Sequence, residues 1–306
     1  MKKLSDPRTT LDVISRYDFD FLKRFGQNFL VDESVILHSL EAAQVSSKDV
    51  IFEIGPGIGT LTQYLSEAAD QVVSIEIDKK LIPILEDTLR GYDNVDLINE
   101  DVLKVDLVSL ARKYDAGRTS ASPHAGRTGD PVFHPLKIVA NLPYYITTPI
   151  LMNLFRQKVP AESITVMVQK EVAERMCALP GCKDYGSLSV AVQYYSAPQI
   201  VELVPPSAFL PHPKVTSAVV TMDLYEDLPV KAQDEALFDA VVRAAFGQRR
   251  KTLVNALSAS PQVPFGKDEI SKALEKLGFS TSIRGETLSP ADFAALSDCL
   301  SDLSSV

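Results

Sequence analysis

Short apolar runs alternate with helical patterns between residues 49 and 169 of this sequence. The first run, Val50–Ile54, precedes a glycine-rich turn and a segment whose apolar residues recur at helical spacing, at Leu61, Tyr64, Leu65 and Ala68. Further strand-like runs cover 71–77, 95–99, 137–141 and 164–169, and a second helical pattern covers 79–89. Strands that alternate with helices in this way predict parallel βαβ units, and hence an α/β fold with a doubly wound, mostly parallel sheet.

The remaining patterns divide the chain into two domains. Strand-like runs at 199–204 and 217–224 could close the sheet as an antiparallel pair, while the run at 188–195 fits either a strand or a buried helix. From residue 233 onward the spacing is helical, over 234–246, 250–258, 267–277 and 290–302. The sequence therefore predicts an α/β domain over residues 1–226 and a small all-helical domain over residues 227–306.

Residues 115–135 differ in composition from their surroundings. Ala-Gly-Arg-Thr occurs twice in this segment, which is rich in Gly, Ser and Pro. Such a composition cannot bury a core and predicts a mobile loop. Because the segment precedes the strand at 137–141, it is expected at the N-terminal edge of the sheet, whereas ligands of such sheets bind at the carboxyl edge. We interpret it as an insertion remote from the chemistry.

The overall composition limits the classes of protein to consider. No apolar run reaches the ~18 residues that a membrane-spanning helix needs, and the N-terminal residues lack the apolar stretch of a signal peptide, so we expect a cytoplasmic protein with no membrane partner. The three cysteines do not resemble a metal-ligand cluster, so we expect no metal. The net charge of −9 contrasts with the basic surface of most nucleic-acid-binding domains. If the chain binds a nucleic acid, the contact must come from local basic groups.

A glycine-rich turn joins the first predicted strand to the first predicted helix. The turn, Gly55-Pro56-Gly57-Ile58-Gly59, has the spacing G-x-G-x-G, and taken alone it could be a tight turn with no ligand. Glu76 ends the next strand, where a carboxylate can accept hydrogen bonds from both hydroxyls of a ribose. Asp101 follows the third strand, where it can accept a hydrogen bond from the amino group of an adenine. Together they predict a cofactor that contains an adenosyl group, and at this point NAD is not excluded.

The motif Asn141-Leu142-Pro143-Tyr144 lies just beyond the strand at 137–141, at the same carboxyl edge. The exocyclic amine of adenine is a poor nucleophile, since its lone pair is delocalised into the ring. The Asn141 side-chain oxygen and the Leu142 carbonyl can accept its two hydrogens and favour a more pyramidal nitrogen, while Pro143 fixes the backbone between them. Tyr144 offers an aromatic face for an extruded base. The motif therefore favours methyl transfer from S-adenosylmethionine to an adenine amine, with positioning supplying most of the rate.

Besides the glycine turn, several longer stretches are specific enough to compare with known families: KRFGQNFL at 23–30, VANLPYYITTP at 139–149, MVQKEVAER at 167–175, PPSAF at 205–209, PKV at 213–215 and FGQRRKTL at 246–253. With them, the sequence resembles the small-subunit ribosomal RNA adenine dimethyltransferase family over nearly its whole length. The resemblance implies a class I S-adenosylmethionine methyltransferase fold, with cofactor contacts from Asn28, Leu30, Gly55, Gly57, Glu76, Asp101 and Asn141. It also implies that two adjacent adenosines in a hairpin near the 3′ end of small-subunit (16S) rRNA are each dimethylated.

The same resemblance suggests how RNA is bound. It implies that the helical domain helps to dock the small ribosomal subunit, with candidate RNA contacts from Lys23, Arg24, Lys170, Arg249, Arg250 and Lys251. A solvated helix face is the alternative interpretation of residues 249–251. Phe209 resembles a second aromatic residue near the target base in the family, although a buried core phenylalanine explains it as well. We expect the protein to act as a monomer.

Three other functions are compatible with part of these features. A large-subunit rRNA adenine methyltransferase of the antibiotic-resistance type shares the glycine turn and an Asn-x-Pro-Tyr motif, but residues 145–149 and 249–252 favour the small-subunit family. A ribosome-assembly factor that acts mainly by binding is a second alternative, and the intact motif at 141–144 argues that catalysis is retained. A nicotinamide dehydrogenase is the weakest alternative, because no proton-relay residue adjoins the glycine turn.

Overall fold

The structure is a computed structural model that describes residues 2–18, 28–120 and 135–303. Its strands are β1 Phe29–Leu30, β2 Val50–Ile54, β3 Gln71–Glu76, β4 Val95–Asn99, β5 Leu136–Asn141, β6 Ser163–Gln169, β7 Ser196–Val204, β8 Phe209–Leu210 and β9 Ser217–Leu224. Its helices are α1 Pro7–Arg16, α2 Glu33–Ala42, α3 Thr60–Ala68, α4 Ile82–Thr88, α5 Leu107–Ser120, α6 Thr147–Gln157, α7 Lys170–Cys177, α8 Ser187–Tyr195, α9 Glu235–Gly247, α10 Leu253–Ser258, α11 Lys267–Lys276 and α12 Pro290–Leu303.

The described residues form two compact units, one within 1–173 and 199–224 and the other within 174–198 and 225–306. The second unit therefore contains residues 174–198, which the sequence-based division assigned to the α/β domain. Helix α8 explains this difference. It packs against α9 and α12, and its Tyr194 ring lies 4.4 Å from the ring of Phe238 in the core of the helical unit. The ambiguous run at 188–195 is thus a buried helix.

The first unit is built on a seven-stranded sheet with the order β4-β3-β2-β5-β6-β9-β7. The five strands from β2 to β6 run parallel to one another, and β9 pairs antiparallel with β6. The predicted doubly wound, mostly parallel sheet is therefore confirmed. All five residues of β2 are buried, as expected for a strand that is covered on both faces.

The direction of strand addition reverses at the centre of this sheet. The chain passes from β2 outward to β3 and β4, and then returns to place β5 on the other side of β2. Ligands of open α/β sheets bind at such a reversal, outside the carboxyl ends of the strands. This edge brings together the turn after β2, the end of β3, the segment after β4 and the segment after β5.

A two-stranded antiparallel sheet lies beside this edge. It pairs β1 with β8, with Phe29 opposite Leu210 and Leu30 opposite Phe209. The Phe209 side chain has no exposed area and packs in a core cluster with Leu30 and Met167. The structure thus corrects the interpretation of Phe209 as an RNA contact and favours the buried core position.

The predicted insertion differs from the structure at its start. Helix α5 continues to Ser120, so the first six residues of the segment 115–135 are helical and not part of a loop. Residues 121–134 lie outside the described residues. Among the helices that the structure describes, none is both long and apolar enough to span a membrane.

Candidate cofactor and base-binding site

A cavity opens at the carboxyl edge of the sheet, beside the reversal in strand order. All seven residues predicted to contact the cofactor line this cavity: Asn28, Leu30, Gly55, Gly57, Glu76, Asp101 and Asn141. The rest of the predicted catalytic motif, Leu142, Pro143 and Tyr144, lines it too. The structure therefore brings the two predicted sets of residues into one site.

The glycine turn takes a backbone conformation that larger residues rarely adopt. Gly57 has φ +62°, in the left-handed region that favours glycine. A Cβ atom on Gly57 would lie 3.1 Å from Cε1 of Phe29. Gly59 has φ +94° and forms the N-cap of α3. The turn thus holds the β1 segment close against it.

Glu76 is a buried carboxylate at the end of β3, with only 5% of its surface exposed. Its Oε1 accepts a hydrogen bond from the Asp78 backbone N–H at 2.8 Å, and its Oε2 accepts one from the Gly57 N–H at 3.4 Å. Burial raises the pKa of Glu76 to about 7, and the two backbone donors oppose this shift. The carboxylate is therefore held in place by the glycine turn and faces the cavity.

Glu53 is a second buried carboxylate in the cavity wall, and sequence reasoning assigned it no role. Its Oε2 accepts hydrogen bonds from the hydroxyls of Thr62, at 2.7 Å, and Ser74, at 2.8 Å. Burial, opposed by the two hydroxyls and reinforced by the nearby Glu76, raises the pKa of Glu53 to about 7. The signal that could have found Glu53 is an acidic residue within a fully buried strand, since such groups are rare unless they are partnered.

Asp101 occupies a more open position after β4. Its Oδ1 accepts a hydrogen bond from the Leu103 N–H at 3.1 Å, which fixes the side chain on the turn that it begins. Its Oδ2 lies 3.9 Å from Nζ of Lys104, which is largely exposed. An exposed ion pair of this length contributes little, so the carboxylate stays available to a ligand in the cavity.

The amide of Asn141 is oriented by the segment that carries β1. Its Nδ2 donates a hydrogen bond to the Asn28 carbonyl oxygen at 3.3 Å. Because the amide has one donor end and one acceptor end, this bond leaves Oδ1 as the group that can accept from a ligand. Asn28 thus contributes to the site through its backbone.

The motif that follows Asn141 is tied to its surroundings at several points. The Leu142 N–H donates to the carbonyl of Met167 in β6 at 3.1 Å, and the Ile146 N–H donates to the Pro143 carbonyl at 3.1 Å. The hydroxyls of Tyr144 and Ser217 are 2.5 Å apart. Burial of Tyr144 raises the pKa of its phenol, so the hydroxyl stays protonated. These contacts fix the loop in one conformation beside the cavity.

The residues predicted to contact RNA differ in their hydrogen-bond partners, and two of them are not described by the structure. Lys23 and Arg24 lie outside the described residues. Lys170, Arg250 and Lys251 are exposed. Arg249 is exposed as well, but its guanidinium is bonded within the helical unit: Nε donates to the Glu286 carboxylate at 2.8 Å and Nη2 donates to the Cys182 carbonyl at 3.3 Å. The structure thus separates Arg249, which is engaged, from its two basic neighbours.

The chemistry of the cavity fits an adenosyl cofactor. Glu76 has carboxylate oxygens of the kind that accept from ribose hydroxyls, Asp101 has an acceptor suited to an adenine amino group, and apolar side chains such as Ile77 and Val102 line the same cavity. The left-handed glycines leave room for a ligand to approach the backbone. These donors, acceptors and apolar surfaces match the groups of S-adenosylmethionine.

Comparisons with known proteins identify the family. The family model described as ribosomal RNA adenine dimethylase matches residues 18–296. The chain is 52% identical over 303 residues to the ribosomal RNA small subunit methyltransferase A of Lachnoclostridium phytofermentans, covering 99% of each chain, and 46% identical over 300 residues to that of Alkaliphilus oremlandii, covering 98% of this chain and 99% of that one.

Two solved structures resemble it in fold. A dimethyladenosine transferase from Plasmodium falciparum aligns with a TM-score of 0.68 and 26% identity, covering 88% of this chain and 95% of that one. The 23S rRNA methyltransferase ErmE aligns with a TM-score of 0.61 and 24% identity, covering 90% of this chain and 100% of that one, and this likeness concerns the fold alone. The chain belongs to the ribosomal RNA adenine dimethylase family.

Proposed function

We propose that this protein uses S-adenosylmethionine to dimethylate the exocyclic amines of two adjacent adenosines in a hairpin near the 3′ end of small-subunit rRNA. The observation that carries the proposal is the oriented amide of Asn141 in a cavity that also contains Glu76 and Asp101. The identity of 52% over nearly the whole length to a small subunit methyltransferase supports the substrate.

Some residues of the site bind the cofactor, and others position the target base. S-adenosylmethionine supplies, when bound, a methyl group on a positively charged sulfur. Glu76 and Asp101 accept hydrogen bonds from the adenosyl group, and the turn glycines let it approach the backbone. In the first transfer, Asn141 Oδ1 and the Leu142 carbonyl accept the two amine hydrogens of the target adenine, which localises the nitrogen lone pair. The monomethylated amine keeps one hydrogen for the second transfer, and each transfer releases one proton from the nitrogen to water. Tyr144 stacks on the extruded base. Catalysis by this site is mainly positioning of the amine.

The small subunit is favoured over the large one by the extent of the sequence match. The likeness to ErmE is a likeness of fold, whereas the two small-subunit relatives match both units of the chain at 46–52% identity. We propose that the helical unit helps to dock the small subunit, with Arg250 and Lys251 as its candidate contacts. We also propose that the protein has a role in subunit assembly, is located in the cytoplasm and acts as a monomer.

The experiment is transfer of labelled methyl groups from S-adenosylmethionine to unmethylated small subunits, with large-subunit rRNA in parallel. We expect label in dimethyladenosine of the small subunit. Label only in the large-subunit RNA would keep the chemistry and overturn the substrate. Binding of small subunits with no label in either RNA would instead support a protein that acts mainly as an assembly factor.

A further inference from the structure

Ser217 contacts the catalytic motif from a strand that lies outside it. The Ser217 Oγ is 2.5 Å from the Tyr144 hydroxyl, and Ser217 itself has no exposed area. The two residues are 73 positions apart in the sequence. Ser217 is not among the residues that line the cavity, whereas Tyr144 is, so Ser217 is placed to act on a bound base through Tyr144.

The backbone around Ser217 is fixed by the sheet. Ser217 is the first residue of β9 and lies opposite Gln169 in the antiparallel pair with β6. Just beyond this pair, the Lys170 N–H donates to the Thr216 carbonyl at 3.0 Å. A hydroxyl on such a residue has little freedom to move. It therefore provides a rigid anchor at the carboxyl end of β6.

Strand β6 also holds the backbone of the catalytic motif. The Leu142 N–H donates to Met167, two residues before Gln169 in β6. The backbone of the motif is thus tied to β6, and the far end of the Tyr144 side chain is tied to β9. Because the phenolic oxygen lies on the ring axis, its hydrogen bond fixes the direction in which the side chain projects, which is its χ1 angle.

We infer that Ser217 is a positioning residue that holds Tyr144 in the rotamer needed to receive the target adenine. This inference rests on the proposed function, in which the Tyr144 ring stacks on the extruded base. A tyrosine that is already fixed loses less side-chain entropy when the base arrives. Loss of the anchor is then expected to reduce the rate of transfer more than it reduces cofactor binding.

A purely structural role for Ser217 makes a different prediction, and the same two strands offer a control. Thr165 and Thr221 lie opposite each other in β6 and β9, and their hydroxyls are 3.3 Å apart. The variant Thr221→Val removes a hydroxyl contact between these strands at a position four residues from Ser217. If strand pairing alone mattered, Thr221→Val and Ser217→Ala would have similar effects.

The test is a double-mutant cycle with Ser217→Ala, Tyr144→Phe and the double variant. The measurements are single-turnover methyl transfer to saturating small subunits, affinity for S-adenosylhomocysteine, and the free energy of unfolding. We expect each single variant to slow transfer about tenfold, and the double variant to be no slower than either, because all three lose the same hydrogen bond. Cofactor affinity should be unchanged, Thr221→Val should transfer at the wild-type rate, and Ser217→Thr should recover much of the loss.

Three results would overturn the inference: a wild-type rate in Ser217→Ala, losses that multiply in the double variant, or an equal loss in Thr221→Val. If Ser217→Ala fails to fold, Tyr144→Phe still tests the inference, because it removes the same contact from a partly exposed residue. A wild-type rate in Tyr144→Phe would then overturn the inference. Absence of transfer by the wild-type protein would refute the proposed function itself, and this outcome is distinct from all of the others.

Discussion

The side-chain amide of Asn141 donates a hydrogen bond to the backbone carbonyl of Asn28, with 3.3 Å between the two atoms. Asn28 lies next to β1, and Asn141 ends β5, so residues more than a hundred positions apart meet at the cavity. The bond assigns the donor end of the amide to the protein and the acceptor end to the ligand. The orientation of the acceptor is thus set before a base enters, which lowers the cost of positioning it.

The first prediction concerns this acceptor. We expect Asn141→Ala to lower the rate of methyl transfer by about 10²–10³, as loss of one preorganised polar group at a reacting centre typically does. Binding of the small subunit should be retained, since Asn141 lies within the cavity. Single-turnover transfer and subunit binding measure the two effects separately. Asn255→Ala, at an exposed asparagine of the helical unit, is the control, and normal turnover in Asn141→Ala would refute the assigned role.

A second prediction separates cofactor binding from catalysis. Glu76→Ala removes both carboxylate oxygens proposed to accept from the ribose, so cofactor affinity should fall by about tenfold to a hundredfold. Glu76→Gln keeps one acceptor and should lose less. Calorimetric titration with S-adenosylhomocysteine measures the change without turnover. Glu86→Gln removes the same charge from an exposed position of α4 and should bind normally, and equal affinity in Glu76→Ala would exclude the ribose contact.

The sequence alone predicted the sheet and several of the residues that its strand ends bring to the cavity, because both follow from local patterns. Parallel strands share one carboxyl edge, so Gly57, Glu76 and Asp101 were expected to meet there. Asn141 belongs to the same group, since it ends a strand of the same sheet. Their convergence in the structure needs no information beyond strand order.

Other features depend on contacts between distant residues, which no local pattern records. Glu53 is hidden in an apolar strand, and only the pairing of β2 with β3 places the Ser74 hydroxyl against it. Phe209 fits either a core or a base contact by sequence, and its burial follows from the pairing of β8 with β1. The engagement of Arg249 by Glu286 also requires the tertiary fold. Side-chain partners of this kind decide the role of a residue, and they become visible only in the folded chain.

The third prediction concerns pH and the two buried carboxylates. Burial raises the pKa values of Glu53 and Glu76 from 4.5 to about 7. Between pH 4.5 and about pH 7, both groups are therefore protonated in the folded protein and ionised in the unfolded chain. The stability from this difference is complete below pH 4.5 and is lost as the pH rises through about 7.

The variant Glu53→Gln tests this sign, because a glutamine oxygen can still accept from both Thr62 and Ser74. We expect the wild type to lose on the order of 1–3 kcal/mol of unfolding free energy relative to Glu53→Gln between pH 5 and pH 8. Urea denaturation of the cofactor-free protein at both pH values measures the difference. If the difference in unfolding free energy between wild type and Glu53→Gln were the same at pH 5 and pH 8, Glu53 would be ionised throughout this range.

A fourth prediction addresses the glycine turn. Gly57→Ala places a Cβ atom 3.1 Å from the Phe29 ring and in a backbone conformation with φ +62°, so we expect a loss of about 1–3 kcal/mol in stability together with weaker cofactor binding. Gly247→Ala is the control for adding a Cβ to a glycine without positive φ, because a Cβ at Gly247 meets no atom within 4 Å beyond its chain neighbours and its own helix. Thermal unfolding with and without S-adenosylhomocysteine measures both effects. If the two variants behaved alike, the turn would not need glycine at position 57.

The last prediction divides the basic cluster at residues 249–251 by the partners of its members. All three residues are exposed, but the Arg249 guanidinium also bonds Glu286 and the Cys182 carbonyl. We expect Arg250→Ala and Lys251→Ala each to weaken binding to small subunits and to reduce the slope of log affinity against log salt by about 1, since each removes one proposed phosphate contact. Arg249→Ala should leave this slope unchanged and lower the unfolding free energy by less than about 1 kcal/mol, because its ion pair is partly exposed. Subunit binding across a salt series, together with urea denaturation, measures both quantities. A reduced salt slope in Arg249→Ala alone would reverse the assignment and place Arg249 on the RNA.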